Sequence, residues 1–223
     1  MIFAGLGPYL LYLVVGLLVA MDVHEFSHAW VADRLGDPTP RESGRLSLNP
    51  AAHLDPLGTV FLLLVGLGWG KPVGINPMKL RGGPQLGMAL VGAAGPASNL
   101  LLAAILAVPL RLHLVPFIPQ TVFGFPLSWG ELFAWCVWFN LALAVFNLIP
   151  FSPLDGSRLL AAFLPERWFY AVARYERYAL LALLGLIIVE RFTDMGILAS
   201  LIFPPVEWLW WSLVGMTPPF PWR

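Results

Sequence analysis

The polar positions of this chain fall into islands between long apolar runs. The first run covers residues 8–34. Residues 9–21 are almost all Leu, Val, Gly, Ala and Tyr; Asp22, His24, Glu25, Ser27 and His28 then interrupt it, and Ala29-Trp30-Val31-Ala32 resumes it. Pro8 suits a first helical turn and Gly36-Asp37-Pro38 stops a helix, so the pattern predicts one helix, segment A, over 8–34. At about 1.5 Å per residue it is roughly 40 Å long, enough to cross a bilayer and protrude.

Residues 35–55 are polar and turn-rich. Segment B, Leu57–Gly70, is apolar but carries Gly58, Gly66, Gly68 and Gly70. A span takes about 20 residues, so this shorter run suits a re-entrant or buried element. Lys71–Asn76 reads as a short extended strand or a loop. Segment C (86–110) spans and contains Pro96; segment D (130–149) spans and ends at Pro150; 154–164 is a short helix; segment E (172–192) spans. In the tail, 195–216, Pro204-Pro205 and Glu207 interrupt the pattern, and Trp208, Trp210 and Trp211 suggest an interfacial belt. The expected fold is an all-α polytopic membrane protein. It is a bundle of four to five transmembrane helices with a re-entrant element and room for short membrane-associated β strands. One domain is expected over 1–223, with its core in 8–165 and C-terminal helices in 172–216. No linker, internal repeat or appended module interrupts it, and the apolar N-terminal run lacks a positive leader and reads as a retained helix.

Composition fits. Of 223 residues 58% are hydrophobic and 12% charged, where soluble domains carry about 25%; mean hydropathy is +0.76. Zero net charge argues against nucleic acid as a partner. The single cysteine, Cys136, forms no internal disulfide and no cysteine metal site. With segment B re-entrant, Arg34, Arg41, Arg45, Lys71, Lys79 and Arg81 fall on the same side as Arg158, Arg167, Arg174 and Arg177, against Arg111 and Arg191 opposite. The positive-inside rule then puts 35–85 and 154–177 in the cytoplasm and the N-terminus outside.

Two imidazoles and a carboxylate in a membrane helix need a reason, because ionisable groups are costly there. His24-Glu25-Phe26-Ser27-His28 fits the pattern H-E-x-x-H. On a helix the two histidines project about 40° apart, and Glu25 flanks them at about 60° from His28. Two neutral imidazoles and a third ligand can hold zinc with water in the open position. Glu25 then serves as the base that takes the water proton and passes it to the leaving amine. The competing reading is a chance match with packed histidines. For the third ligand the acidic candidates are Asp22, Asp55, Glu131, Asp155, Glu190 and Asp194. Asp22 points away, and the last two and Glu131 lie at the far ends of D and E. Asp155 is favoured: it follows Asn147-Leu-Ile-Pro-Phe-Ser-Pro153-Leu, where prolines break the helix near the cytoplasmic side, and broken backbone at that depth is tolerated where it lines a cavity. Its alternative role is a helix N-cap.

HEFSH together with N-L-I-P-F-S-P-L-D-G resembles the site-2 protease family of intramembrane metalloproteases. Gly95-Pro-Ala-Ser-Asn99 resembles that family's G-x-x-x-N motif, and His53–Gly58 and Gly70–Pro77 resemble stretches of its compact members without a peptide-binding domain. The likeness covers roughly 20–160. It implies one Zn2+ per chain on His24, His28 and Asp155, Glu25 as catalytic residue, and Asn147 holding substrate backbone or the reaction's oxyanion. It also implies single-span membrane proteins as substrates in a prokaryotic cell membrane. Ser152 stands where many members have proline. A helix often precedes the motif helix in that family; segment A has none before it here.

Other residues have plainer readings. Asn99 and Asn140 suit hydrogen bonds between helices, with catalysis an alternative for Asn99. His53 suits a cap or loop role, or the mouth of the site. Gly92 and Gly95 suit close packing. Two other functional classes compete: an ion transporter or channel, which has no need of Glu25 as a base and which lacks repeated halves here, and a catalytically silent scaffold that binds membrane proteins.

Overall fold

A computed structural model describes residues 2–55, 58, 70–122, 125–193 and 196–220. Segment A forms α1 (Ile2–Arg34), which starts upstream of Pro8; one missing N–H near a helix end costs a single backbone bond. Two short helices follow, α2 (Thr39–Glu42) and α3 (Pro50–His53). Asn49 caps α3 by accepting from Ala51 N at 3.1 Å. Then come α4 (Pro84–Arg111), with Pro96 and Pro109 inside it, and α5 (Trp129–Leu148), capped by Ser128. The last helices are α6 (Asp155–Ala161), α7 (Glu166–Thr193) and α8 (Ile197–Leu213).

Among the described residues three helical stretches are long and apolar enough to cross a membrane: Tyr9–Arg34, Pro84–Arg111 and Trp129–Leu148. The other expected crossings fall on α7, whose first half carries Arg167, Arg174, Glu176 and Arg177, and on α8, an apolar helix of 17 residues. Segment B lies outside the described residues except for Gly58 and Gly70.

Two expectations change. The tail is not broken at Pro204-Pro205; α8 runs through both prolines. Val206 and Trp210 on its buried face are each 0% exposed, and that packing outweighs the backbone bonds that proline removes. Lys71–Asn76 forms no strand and pairs with none among the described residues. One isolated bridge, Leu54 with Gly70, precedes it, and Lys71 N donates to His53 O at 2.7 Å. The two-stranded sheet lies instead in the α4–α5 connection, where β1 (Gln120–Val122) pairs antiparallel with β2 (Phe125–Leu127).

Helices α1, α4 and α5 pack on one another, with α8 against α5. Their core joins Tyr12, Ala103, Ala107, Val137, Leu141 and Trp210. Small residues at the crossings let the helices approach closely, as membrane bundles require. The polar connection is tied down by Asp37, which is fully buried. It accepts from Thr39 N at 3.1 Å and Thr39 Oγ1 at 2.6 Å through one oxygen, and from Asn76 N at 2.6 Å through the other. Arg45, also buried, donates to Ala52 O and to Lys71 O. These bonds hold 71–76 in place without a sheet.

Trp210 closes the α5–α8 packing. Its ring lies 6.0 Å from Trp138 and 5.9 Å from Phe220, and its Nε1 donates to Met216 O at 2.6 Å. Trp210→Ala is expected to destabilise the fold by about 3–5 kcal/mol, read as a lowered unfolding midpoint of the purified protein in detergent.

Candidate metal centre

His24 and His28 are one helical turn apart on α1, so both rings leave the same face. The rings sit 4.6 Å apart, centroid to centroid, nearly perpendicular. Asp155 reaches them from the first turn of α6: its Oδ2 is 3.1 Å from His24 Nε2 and 3.1 Å from His28 Nε2. All three residues are buried. The helix cap at this point is Leu154, with no side-chain cap bond, so the Asp155 carboxylate is directed to the imidazoles.

The donor set fits a metal ion. Three ligand atoms from His24, His28 and Asp155 lie within 4.8 Å of one another. The far nitrogen of each ring is engaged: His24 Nδ1 at 2.6 Å from Asn99 Oδ1, His28 Nδ1 at 2.7 Å from Val91 O. That leaves both Nε2 atoms turned to the carboxylate, the arrangement that metal-ligating histidines adopt.

Half-buried Glu25 and Asn147 open onto the same cavity as His24, His28 and Asp155, about 140 Å³ in volume and walled further by Pro72, Val73, Ile75, Pro153 and Arg158. Asn147 Nδ2 donates to Leu143 O at 3.0 Å. His53 lies elsewhere. It is fully buried at the end of α3, its Nε2 lies 2.7 Å from Ser47 O, and it sits 3.6 Å from Asp22 Oδ1. Ser47 O is an acceptor, so His53 Nε2 is the donor. Asp22 thus faces α3, away from the cavity.

The chain is similar to known proteins. A 177-residue stretch, 79% of the chain, is 37% identical to "Putative zinc metalloprotease YwhC" of Bacillus subtilis and covers 80% of it. The chain belongs to peptidase family M50. The model of that family matches residues 125–189, which hold Asn147 and Asp155. A protein named "Putative zinc metalloprotease Rip2" from Mycolicibacterium smegmatis is 30% identical over 185 residues, 82% of this chain and 68% of that one. "Zinc metalloprotease MJ0392" of Methanocaldococcus jannaschii is 27% identical over 158 residues, 71% of this chain but 36% of its own length. No solved structure matches the chain significantly. The family agrees with the likeness to site-2 proteases carried by HEFSH and the N-L-I-P-F-S-P-L-D-G stretch.

Two residues matter more at this M50 centre than their spacing suggested. A Cβ on Gly95 would lie 2.5 Å from His28 Nε2, 2.6 Å from His24 Cε1 and 2.7 Å from His24 Nε2. Gly95 is therefore the gap through which α4 passes the two rings. Its place four residues before Asn99 put both on one helix face, a signal readable as packing only. Arg158 borders the cavity too, with Nη1 3.8 Å from Asp155 Oδ1 and Nη2 3.5 Å from Glu176 Oε1 of α7. Beyond Val73, Ile75 and Arg158 lies a second cavity of about 220 Å³, lined also by Met88, Ala161 and Phe169.

Gly95→Ala is expected to displace both rings and abolish stoichiometric metal binding, whereas Gly74→Ala, where a Cβ meets nothing within 4 Å, should leave it unchanged. Metal analysis of the two purified variants checks this.

Proposed function

We propose that this M50 peptidase is an intramembrane zinc metalloprotease that hydrolyses peptide bonds within or near the transmembrane segments of single-span membrane proteins. The observation that carries it is the convergence of His24 Nε2, His28 Nε2 and Asp155 Oδ2 beside Glu25 in one cavity. Two histidines and one carboxylate form a common catalytic zinc set with a position left open. The similar proteins' names, which specify zinc and proteolysis, support the same reading. Zinc held by His24, His28 and Asp155 would act as a Lewis acid, lowering the pKa of water toward about 7 and polarising a carbonyl. Glu25 accepts the water proton and delivers it to the leaving amine, the work of a positioned general base and then acid. Asn147, on the cavity wall, turns its amide from Leu143 O to hold substrate backbone or the developing oxyanion.

The peptide bonds of a transmembrane helix are internally hydrogen-bonded, so the substrate must unwind before it can be cut. Lys71–Asn76 suits that task by strand addition. Val73 and Ile75 are half-buried while Gly74 between them is exposed, the alternation a strand would show, and both half-buried residues border the metal cavity. The second cavity, across Val73 and Ile75, takes an apolar substrate side chain next to the scissile bond. The charge distribution supports a cytoplasmic-facing site in a prokaryotic cell membrane, the N-terminus outside, and four or five crossings.

Glu25→Gln is expected to retain zinc and to lose at least about 100-fold in cleavage of a model membrane substrate, while His24→Ala and Asp155→Ala lose both metal and activity. Unchanged cleavage by the Gln variant would remove Glu25 from the mechanism. Proline at Val73 or Ile75 should cut cleavage of a helical substrate with zinc content intact; retained activity would sink the strand-addition step.

A further inference from the structure

The ring of His24 is held through two buried amides that no part of the reaction just described requires. Asn99 on α4 and Asn140 on α5 are both 0% exposed. Asn99 Nδ2 lies 2.8 Å from Ala20 O of α1 and 2.7 Å from Asn140 Oδ1; Asn140 Nδ2 lies 2.8 Å from Cys136 O on its own helix. A backbone carbonyl only accepts. Cys136 O therefore fixes the Asn140 amide with its nitrogen toward that carbonyl and its oxygen toward Asn99. Ala20 O, together with that oxygen, fixes the Asn99 amide in turn, with both amide protons used. The Asn99 oxygen is then the atom facing His24 Nδ1 at 2.6 Å, so Nδ1 must carry the proton. The lone pair of His24 is left on Nε2, the atom 3.1 Å from Asp155 Oδ2.

We propose that Asn140 and Asn99 form a positioning relay that sets the tautomer and orientation of His24 and thereby the affinity of the metal centre. The inference rests on the metalloprotease reading. Two backbone carbonyls give the relay its direction, and each link is a donor and acceptor with no reversal available. His28 differs. Its Nδ1 meets Val91 O directly, so its tautomer is set by one backbone atom of α4. The relay makes the His24 tautomer depend on the mutual seating of α1, α4 and α5. Simple glue between helices would use the same bonds to stabilise the bundle, but it would not choose between the two nitrogens of a ligand. Partners that hold the second nitrogen of a ligating histidine typically control metal affinity about 10–100-fold.

The test is zinc affinity by chelator competition on the purified, full-length protein, with the visible spectrum of the cobalt-substituted protein as a second readout. Asn99→Leu, close in shape but without an acceptor, should weaken zinc about 10–100-fold and shift the cobalt spectrum. Asn99→Asp keeps an oxygen on His24 Nδ1, though it loses the donor to Ala20 O, and should bind zinc more tightly than Asn99→Leu. Asn140→Leu should weaken zinc less than Asn99→Leu, and Asn140→Asp, which keeps the acceptor for Asn99, should restore most of the loss. Because Asn140 acts through Asn99, the double Leu variant should bind zinc no more weakly than Asn99→Leu alone. Wild-type affinity in a folded Asn99→Leu protein overturns the relay, as does full additivity of the two Leu substitutions. Should Asn99→Leu fail to fold, the Asn140→Leu and Asn140→Asp pair decides: equal affinities overturn it. A wild-type protein that binds no zinc, like the His24→Ala control, instead overturns the functional reading beneath it.

Discussion

The structure turns on the closure of one carboxylate on two imidazoles inside an apolar bundle. Asp155 Oδ2 stands 3.1 Å from the Nε2 atoms of His24 and His28, and every other arrangement near the centre serves that approach. A buried charge without a partner is costly, so the carboxylate and the imidazoles are each other's condition for being there. A cation at their centre shares that logic: the negative ligand offsets part of its charge where solvent cannot. The helix break at Pro150 and Pro153 is what lets Asp155 turn back toward α1 rather than continue along the axis of α5.

That closure sets the demands on α4. It must cross α1 at the level of the rings, and Gly95 is the residue that permits it. One turn on, Asn99 meets His24 from the same face, and one turn back the Val91 carbonyl meets His28. A helix face that reads in sequence as small residues and one amide becomes a mould for two imidazoles. The outer packing of α8 and its aromatic residues against α5 then fixes where α5 lies, and with it Asn140 and the start of the break that leads to Asp155.

The long helices were legible because their apolar runs exceed what any soluble element needs, and α1, α4 and α5 follow the expected segments closely. The chemistry of HEFSH was legible for a different reason. Residues four apart on a helix must share a face, so the relation between His24 and His28 is local and requires no tertiary information. The proline pair in α8 misled because propensity is local while the burial of Val206 and Trp210 is not. Lys71–Asn76 found no strand partner among the described residues, since the bonds that hold it come from Asp37 and Arg45, far away in the chain.

Thus the sequence by itself determined the membrane class, the main helices and the shared face of His24 and His28 with Glu25 beside them, all through spacing and hydropathy. It also favoured Asp155, by elimination and resemblance. Only the tertiary structure decided that Asp155 meets both rings rather than capping its helix, that Gly95 is clearance for the imidazoles, and that Asn99 and Asn140 lead to His24 while His53 does not lead to the cavity. These relations join residues on different helices. Helix period fixes directions within one helix, but the rotation and depth of one helix against another are set by packing, which no single segment encodes.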